Sequence, residues 1–123
     1  MKILFVAHSA DLSGGANRSL LSIMRGLRNT CGVEPCVLLP ASGGEMQREC
    51  EKEGIPVFSS GYHTCCTVYR QEIRDVLRFC KLFIAPVLDW YHVLQLRNRL
   101  PEDIDLVYTN ERMVVVGGYL AKL

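Results

Sequence analysis

Long hydrophobic runs are missing from this sequence. The longest, Leu82 to Leu88, is broken by Pro86 and falls far short of the about 20 apolar residues that cross a bilayer. At the start, Met1-Lys2 leads into Ile3-Leu4-Phe5-Val6-Ala7, which is apolar for only five residues and has no small-residue cleavage pattern behind it. That stretch does not read as a secretory signal. The expectation is a cytoplasmic protein, with room for contact at the inner face of the membrane.

An excess of either charge is missing as well. Lys and Arg number 14 against 13 Asp and Glu, a formal net charge of +1, and the basic residues never form a run of five. A nucleic-acid partner is not expected from such a balance, because phosphate binding needs a concentrated basic face. No CxxC pair occurs among the six cysteines at 31, 36, 50, 65, 66 and 80. Cys50 and Cys80 fall in predicted helices and Cys36 opens a predicted strand, positions where a reduced thiol serves as a small buried hydrophobe. The vicinal pair Cys65-Cys66 has no second cluster to complete a zinc site. Neither a metal nor a cofactor is expected.

What is present is an ordinary globular composition, 49% hydrophobic and 22% charged over 123 residues. That suffices for one domain around one core. Residues 2–7 are apolar and contain β-branched side chains, the pattern of a strand buried on both faces. A polar, Gly-rich loop follows, His8-Ser9-Ala10-Asp11-Leu12-Ser13-Gly14-Gly15. From Ala16, apolar residues recur at Leu20, Leu21, Ile23, Met24 and Leu27 at helical spacing, until the turn chemistry of Asn29-Thr30-Cys31-Gly32.

The unit then repeats. Cys36-Val37-Leu38-Leu39 is a second strand, stopped by Pro40, and Ser42-Gly43-Gly44 opens a second helix from Glu45 to Glu53, closed by Gly54. Ile55-Pro56-Val57-Phe58 is a third strand, short because Pro56 cannot donate to a ladder. After a polar loop over 59–67 come two helical patterns, Gln71 to Phe83 and Val87 to Arg99, separated by Pro86. Ile104 to Thr109 is a fourth strand, Asn110-Glu111 its exit turn, and Arg112 to Leu123 a last helical pattern. Alternating strands and helices predict an α/β fold, a Rossmann-like open parallel sheet with helices on both faces. The last pattern ends at Leu120-Ala121-Lys122-Leu123 without cap or polar tail, so the expectation is a fragment: an N-terminal Rossmann-like domain, residues 1–123, truncated at its C-terminal end.

In such sheets ligands sit beyond the carboxyl ends of the strands. Two loops there carry polar groups. In the first, His8 to Asn17, Gly14-Gly15 lets the backbone approach a ligand, the start of the helix favours an anion, Asn17 is a candidate contact, and Arg18 in the first turn can add a bidentate charge. Alternatively Ser13 is an N-cap and the glycines merely permit the turn. The loop is neither GxGxxG nor a Walker A sequence. In the second, Asn110 can bond a sugar hydroxyl and Glu111 can orient one or act as a base; the competing reading has Thr109 or Asn110 capping the next helix and Glu111 complementing its dipole. His8 ends the first strand and points toward the same cleft. Trp90, Tyr91 and the leucines at 88, 94 and 96 read as core packing; if exposed, they and Arg97 and Arg99 would suit a membrane surface.

With those residues in place, the chain resembles the N-terminal domain of GT-B glycosyltransferases of the family 4 type. The segments that carry the resemblance are MKILFVAHSADLSGGANRSLLSIMRGL, CVLLP with SGGEM, EGIPV, and DIDLVYTNERMVVVGGYLAKL, in that order along nearly the whole chain. The resemblance implies an acceptor-side domain that faces a C-terminal, donor-binding domain carrying a Glu-x7-Glu motif. It implies transfer of a sugar from a nucleotide-diphosphate sugar to an acceptor hydroxyl or a lipid-linked acceptor, as in polysaccharide synthesis, commonly without metal. Gly14 and Gly15 would face the donor diphosphate or the acceptor, and Asn110 and Glu111 the cleft end of the fourth strand. Many relatives have a His in that region, where this sequence has Tyr108-Thr109-Asn110. Alone, the chain is expected to be inactive and to self-associate through apolar surface meant for its missing partner domain. Two other classes remain open: a nucleotide-binding Rossmann protein such as an NAD enzyme, against which the absent third glycine counts, and a flavodoxin-like signalling module, against which His8-Ser9 counts in place of an acidic cluster.

Overall fold

The computed structural model describes residues 1–62, 76–110 and 116–122, with the backbone alone at 76–83 and 85. Strand β1 (Lys2–Val6) leads into helix α1 (Gly15–Cys31), β2 (Glu34–Leu39), α2 (Glu45–Lys52) and β3 (Val57–Ser59). Helix α3 (Val76–Arg97), strand β4 (Leu106–Thr109) and helix α4 (Val116–Leu120) are the further elements of the described residues.

The four strands form one parallel sheet in the order β3-β2-β1-β4. Ile3 and Phe5 of β1, with Ala7 just beyond it, enter one core with Leu20, Leu21 and Met24 of α1 and Met46 and Cys50 of α2. Leu4 and Val6, pointing the other way, enter a second core with Val93 and Leu96 of α3 and Val116 of α4. That alternation is the period-2 geometry of a strand, and it explains why β1 is apolar at every position from Ile3 to Val6. The fold is α/β and Rossmann-like, with helices on both faces as its sequence pattern predicts.

Several boundaries differ from expectation. Helix α1 runs through Cys31 and ends where Gly32 adopts φ +62°, with its N–H on the carbonyl of Leu27; the turn residues before it are still helical. β3 begins at Val57 rather than Ile55, because Pro56 offers only a carbonyl, which accepts from the Val37 amide at 2.9 Å. The two helical patterns expected around Pro86 are a single helix, α3, with the proline inside it. A proline there removes one backbone bond and crowds the preceding turn, at a cost of about 3 kcal/mol. The anchoring of Val93 and Leu96 in the second core outweighs it. Residues 71–75 of the first pattern, and 111–115 and 123 of the last, lie outside the described residues.

The register of α3 overturns the expected core role of Trp90, Tyr91, Leu88 and Leu94. Positions 89, 93 and 96 face the sheet, so Asp89, Val93 and Leu96 are buried while those four residues are exposed. Of the five residues expected in the core, Leu96 alone is there. No helix of the described residues is long and apolar enough to cross a membrane.

Candidate functional site

The chain leaves β1 toward β2 on one side and returns through α3 to β4 on the other. That reversal makes a topological switch point between the carboxyl ends of β1 and β4, where crevices open in doubly wound sheets. Val6 pairs with Thr109 in parallel register, so the loops starting at Ala7 and Asn110 leave the sheet together. The two candidate loops share one rim. Asn110, half-buried, closes the contact with a 2.8 Å hydrogen bond from Nδ2 to the carbonyl of Ala16 in the first turn of α1.

The first loop is held from beneath by a side chain of its own helix. Asn17 is fully buried. Its Nδ2 donates to the carbonyl of Ser9 at 2.8 Å, to Ser9 Oγ at 2.9 Å and to the carbonyl of Asp11 at 2.7 Å. Its Oδ1 is buried and finds no hydrogen-bond partner among the described residues. These contacts give Asn17 a positioning role: its amide shapes the loop from inside. Arg18 also turns inward, Nε donating to the carbonyl of Leu12 at 2.8 Å, although its side chain is exposed. His8 is half-buried at the end of β1.

From the far side the loop is pinned by α2. The amide of Met46 donates to the carbonyl of Ala10 at 3.0 Å. A Cβ on Gly44 would stand 2.1 Å from that same carbonyl oxygen, so only glycine permits the contact. Gly44, read in the sequence as a helix opener, is thus also a clamp on the candidate site. The signal was available as the second Gly-Gly, but the partner it needed, Ala10, is 34 positions away and carries no pattern.

Gly14 and Gly15 differ from Gly44. A Cβ at either meets nothing within 4 Å, and Gly14 has an ordinary extended backbone, φ −95°. Neither packing nor backbone conformation demands glycine there; the two positions leave the start of α1 open. Gly14 is the N-cap, not Ser13, and no side chain caps the helix. With no acid in the first turn, the leading amides and the positive end of the dipole favour an anion or a hydroxyl oxygen.

Tyr62 is a residue that the sequence pattern did not reveal. It is buried in the second core, and its hydroxyl bonds the carbonyl of Ala7 and lies 3.1 Å from that of Leu38. Burial, and then the charge of Asp89, push its ionisation far above the usual range, so it remains a neutral donor fixing the carboxyl ends of β1 and β2. Glu111 lies outside the described residues, as do His63, Cys65 and Cys66. No group of three His, Cys, Asp or Glu among the described residues is placed to hold a metal ion.

A groove of about 790 Å³ opens elsewhere, along the outer edge of β4 between the ends of α3 and α4, with Leu100, Ile104, Leu106 and Leu120 on its walls. It is not at the switch point, and its walls, which also include Arg97, Glu102 and Asp105, carry none of the candidate polar groups. No protein-family model, no curated protein and no solved structure matches the chain.

Proposed function

We propose that this chain supplies the acceptor-side half of an enzyme that transfers a sugar from a nucleotide-diphosphate sugar to a hydroxyl, with the substrates meeting at the crevice between β1 and β4. The observation that carries the reading is the Asn110–Ala16 hydrogen bond, which brings the open Gly14-Gly15 elbow and the polar end of β4 to one rim. An uncapped helix start beside a half-buried amide suits a ligand that combines an anion with hydroxyls. The helix amides and dipole serve the diphosphate, and the polar loop groups serve the sugar. Stabilising a departing diphosphate needs that kind of fixed donor.

In this reading His8, Gly14, Gly15 and Asn110 border the substrate and Arg18 borders its charged end. Asn17 acts through the loop it holds, and Glu111 is a contact from the exit of β4. The facing domain that binds the nucleotide would complete catalysis, so the chain by itself binds without turning over. Nothing at the elbow favours a dinucleotide, since the third glycine of that fingerprint is missing.

The test is a chemical-shift titration of the isotopically labelled protein with uridine and guanosine diphosphate sugars, free saccharides and NAD. Shifts at the amides of His8, Gly14, Gly15 and Asn110 with a nucleotide-sugar or a saccharide support the proposal. Shifts there with NAD alone, or none at millimolar ligand, overturn it.

A further inference from the structure

Helix α3 has an exposed ridge that the second core does not use. Ile84, Val87, Leu88, Tyr91 and Leu94 occupy the i, i+3, i+4, i+7 and i+10 positions of one helix face and are all exposed, Val87 to 68% and Tyr91 to 57%. Trp90 flanks the ridge, half-exposed and edge-on to Tyr119 with ring centroids 5.4 Å apart. Between Ile84 and Gln95 the only acidic or basic residue other than His92 is Asp89, and Asp89 is buried on the opposite side. His92 is half-buried. The outward face is therefore uncharged for three turns, and then Arg97 and Arg99 follow, both exposed.

We infer that this ridge lies in the interface of an anionic lipid bilayer, apolar side chains in the acyl boundary and the two arginines on the headgroups. Three observations select a bilayer. The chemistry is that of an in-plane helix: aliphatic residues along the line, a tryptophan and a tyrosine with amphipathic rings, and basic residues at the end. The arginines are locally complementary to anionic headgroups, although the whole chain carries a net charge of only +1. The area is also small for a protein partner. A single helix face of six such side chains presents on the order of 600 Å², below the roughly 800 Å² per partner of a stable interface, whereas a flat bilayer accepts a convex ridge without complementary shape. This inference is independent of the sugar-transfer reading.

Trp90 is the only tryptophan in the chain, so its fluorescence reports directly on the ridge. The protein is titrated with vesicles of phosphatidylcholine with and without phosphatidylglycerol. Binding to the anionic vesicles, with a blue shift of Trp90 and quenching by brominated lipid, is expected. Val87→Glu and Leu94→Glu each weaken binding about tenfold, since a carboxylate replaces an inserted apolar group. Arg97→Gln and Arg99→Gln each weaken it about fivefold at low salt. Circular dichroism and thermal melting check that each variant folds. Should a glutamate variant unfold, the uncharged Val87→Ser replaces it, with severalfold weaker binding expected. Absence of binding by the unaltered protein, an unquenched Trp90, or binding by the folded ridge variants equal to that of the parent overturns the inference. So does a dimer that Val87→Glu dissolves without any vesicle binding, which would assign the ridge to a second copy.

Discussion

The side-chain amide of Asn110 reaches the backbone carbonyl of Ala16, 94 positions earlier in the chain, at 2.8 Å. This bond joins the exit of β4 to the first turn of α1. Among the described residues it is the side-chain hydrogen bond that joins the two polar loops, and it makes the rim a single unit.

Removing it has a defined consequence. Asn110→Ala should destabilise the protein by about 1 kcal/mol, the net value of one such bond, read as a shift of the urea midpoint at unchanged slope. Asn110→Asp should not restore stability, because a carboxylate cannot donate to the Ala16 carbonyl. If the alanine variant proves as stable as the parent, the bond does not hold the rim.

Asn17 is the more demanding position. Its Nδ2 faces three oxygens at 2.7 to 2.9 Å in a fully buried site. Asn17→Asp replaces that donor with an anion among acceptors and should cost about 3 kcal/mol or more. Asn17→Ala removes the donor without adding charge and should cost less. A urea series across the three proteins at neutral pH gives the order parent, alanine, aspartate; any other order means that the loop is held elsewhere.

These two asparagines show how far the sequence could be read. Strand β1, helix α1 and the parallel order were legible because periodicity is a local signal: five consecutive apolar positions, then apolar recurrence every three or four residues. The two candidate loops were legible because a switch-point fold puts its ligands at strand ends. What Asn17 and Asn110 do there was not, since both bond partners through backbone carbonyls, and a carbonyl is the same at every position. The burial of α3 failed for a related reason. Its pattern is apolar nearly all round, so the sequence alone did not choose which side meets the sheet. Asp89 turned inward, and Val87, Leu88, Tyr91 and Leu94 outward, against the usual preference.

The glycines separate packing from binding. Gly44→Ala places a Cβ 2.1 Å from the Ala10 carbonyl oxygen, backbone against backbone, and should cost about 2 kcal/mol or more. Gly14→Ala meets open space at a compatible backbone and should be neutral to within about 0.5 kcal/mol. If the elbow accepts a ligand, the same Gly14→Ala substitution should weaken nucleotide-sugar binding while melting remains unchanged. Thermal melts and one titration of the two variants check all of this. A Gly14→Ala protein that melts lower but binds normally would make the elbow structural.

The buried thiols set the alkaline behaviour. Burial raises Cys36 and Cys50 from about 9 to about 11, because a thiolate in an apolar core loses its hydration. A raised value means that the folded state holds its protons longer than the unfolded chain does. The stabilisation is therefore complete below the unfolded value, near 9, and is lost as pH climbs from there to about 11. Tyr62, shifted upward by its own burial, adds to the same trend at higher pH. Cys36→Ala and Cys50→Ala should each flatten the decline in urea stability between pH 9 and 11 while lowering stability at pH 7, as lost core volume requires. At neutral pH Cys31, which is exposed and unpaired, should react with an aromatic disulfide reagent at once, and Cys36 and Cys50 only on unfolding. Rapid modification of a Cys31→Ser protein at position 36 or 50, located by peptide mass, would mean that the two cores open far more readily than their packing implies.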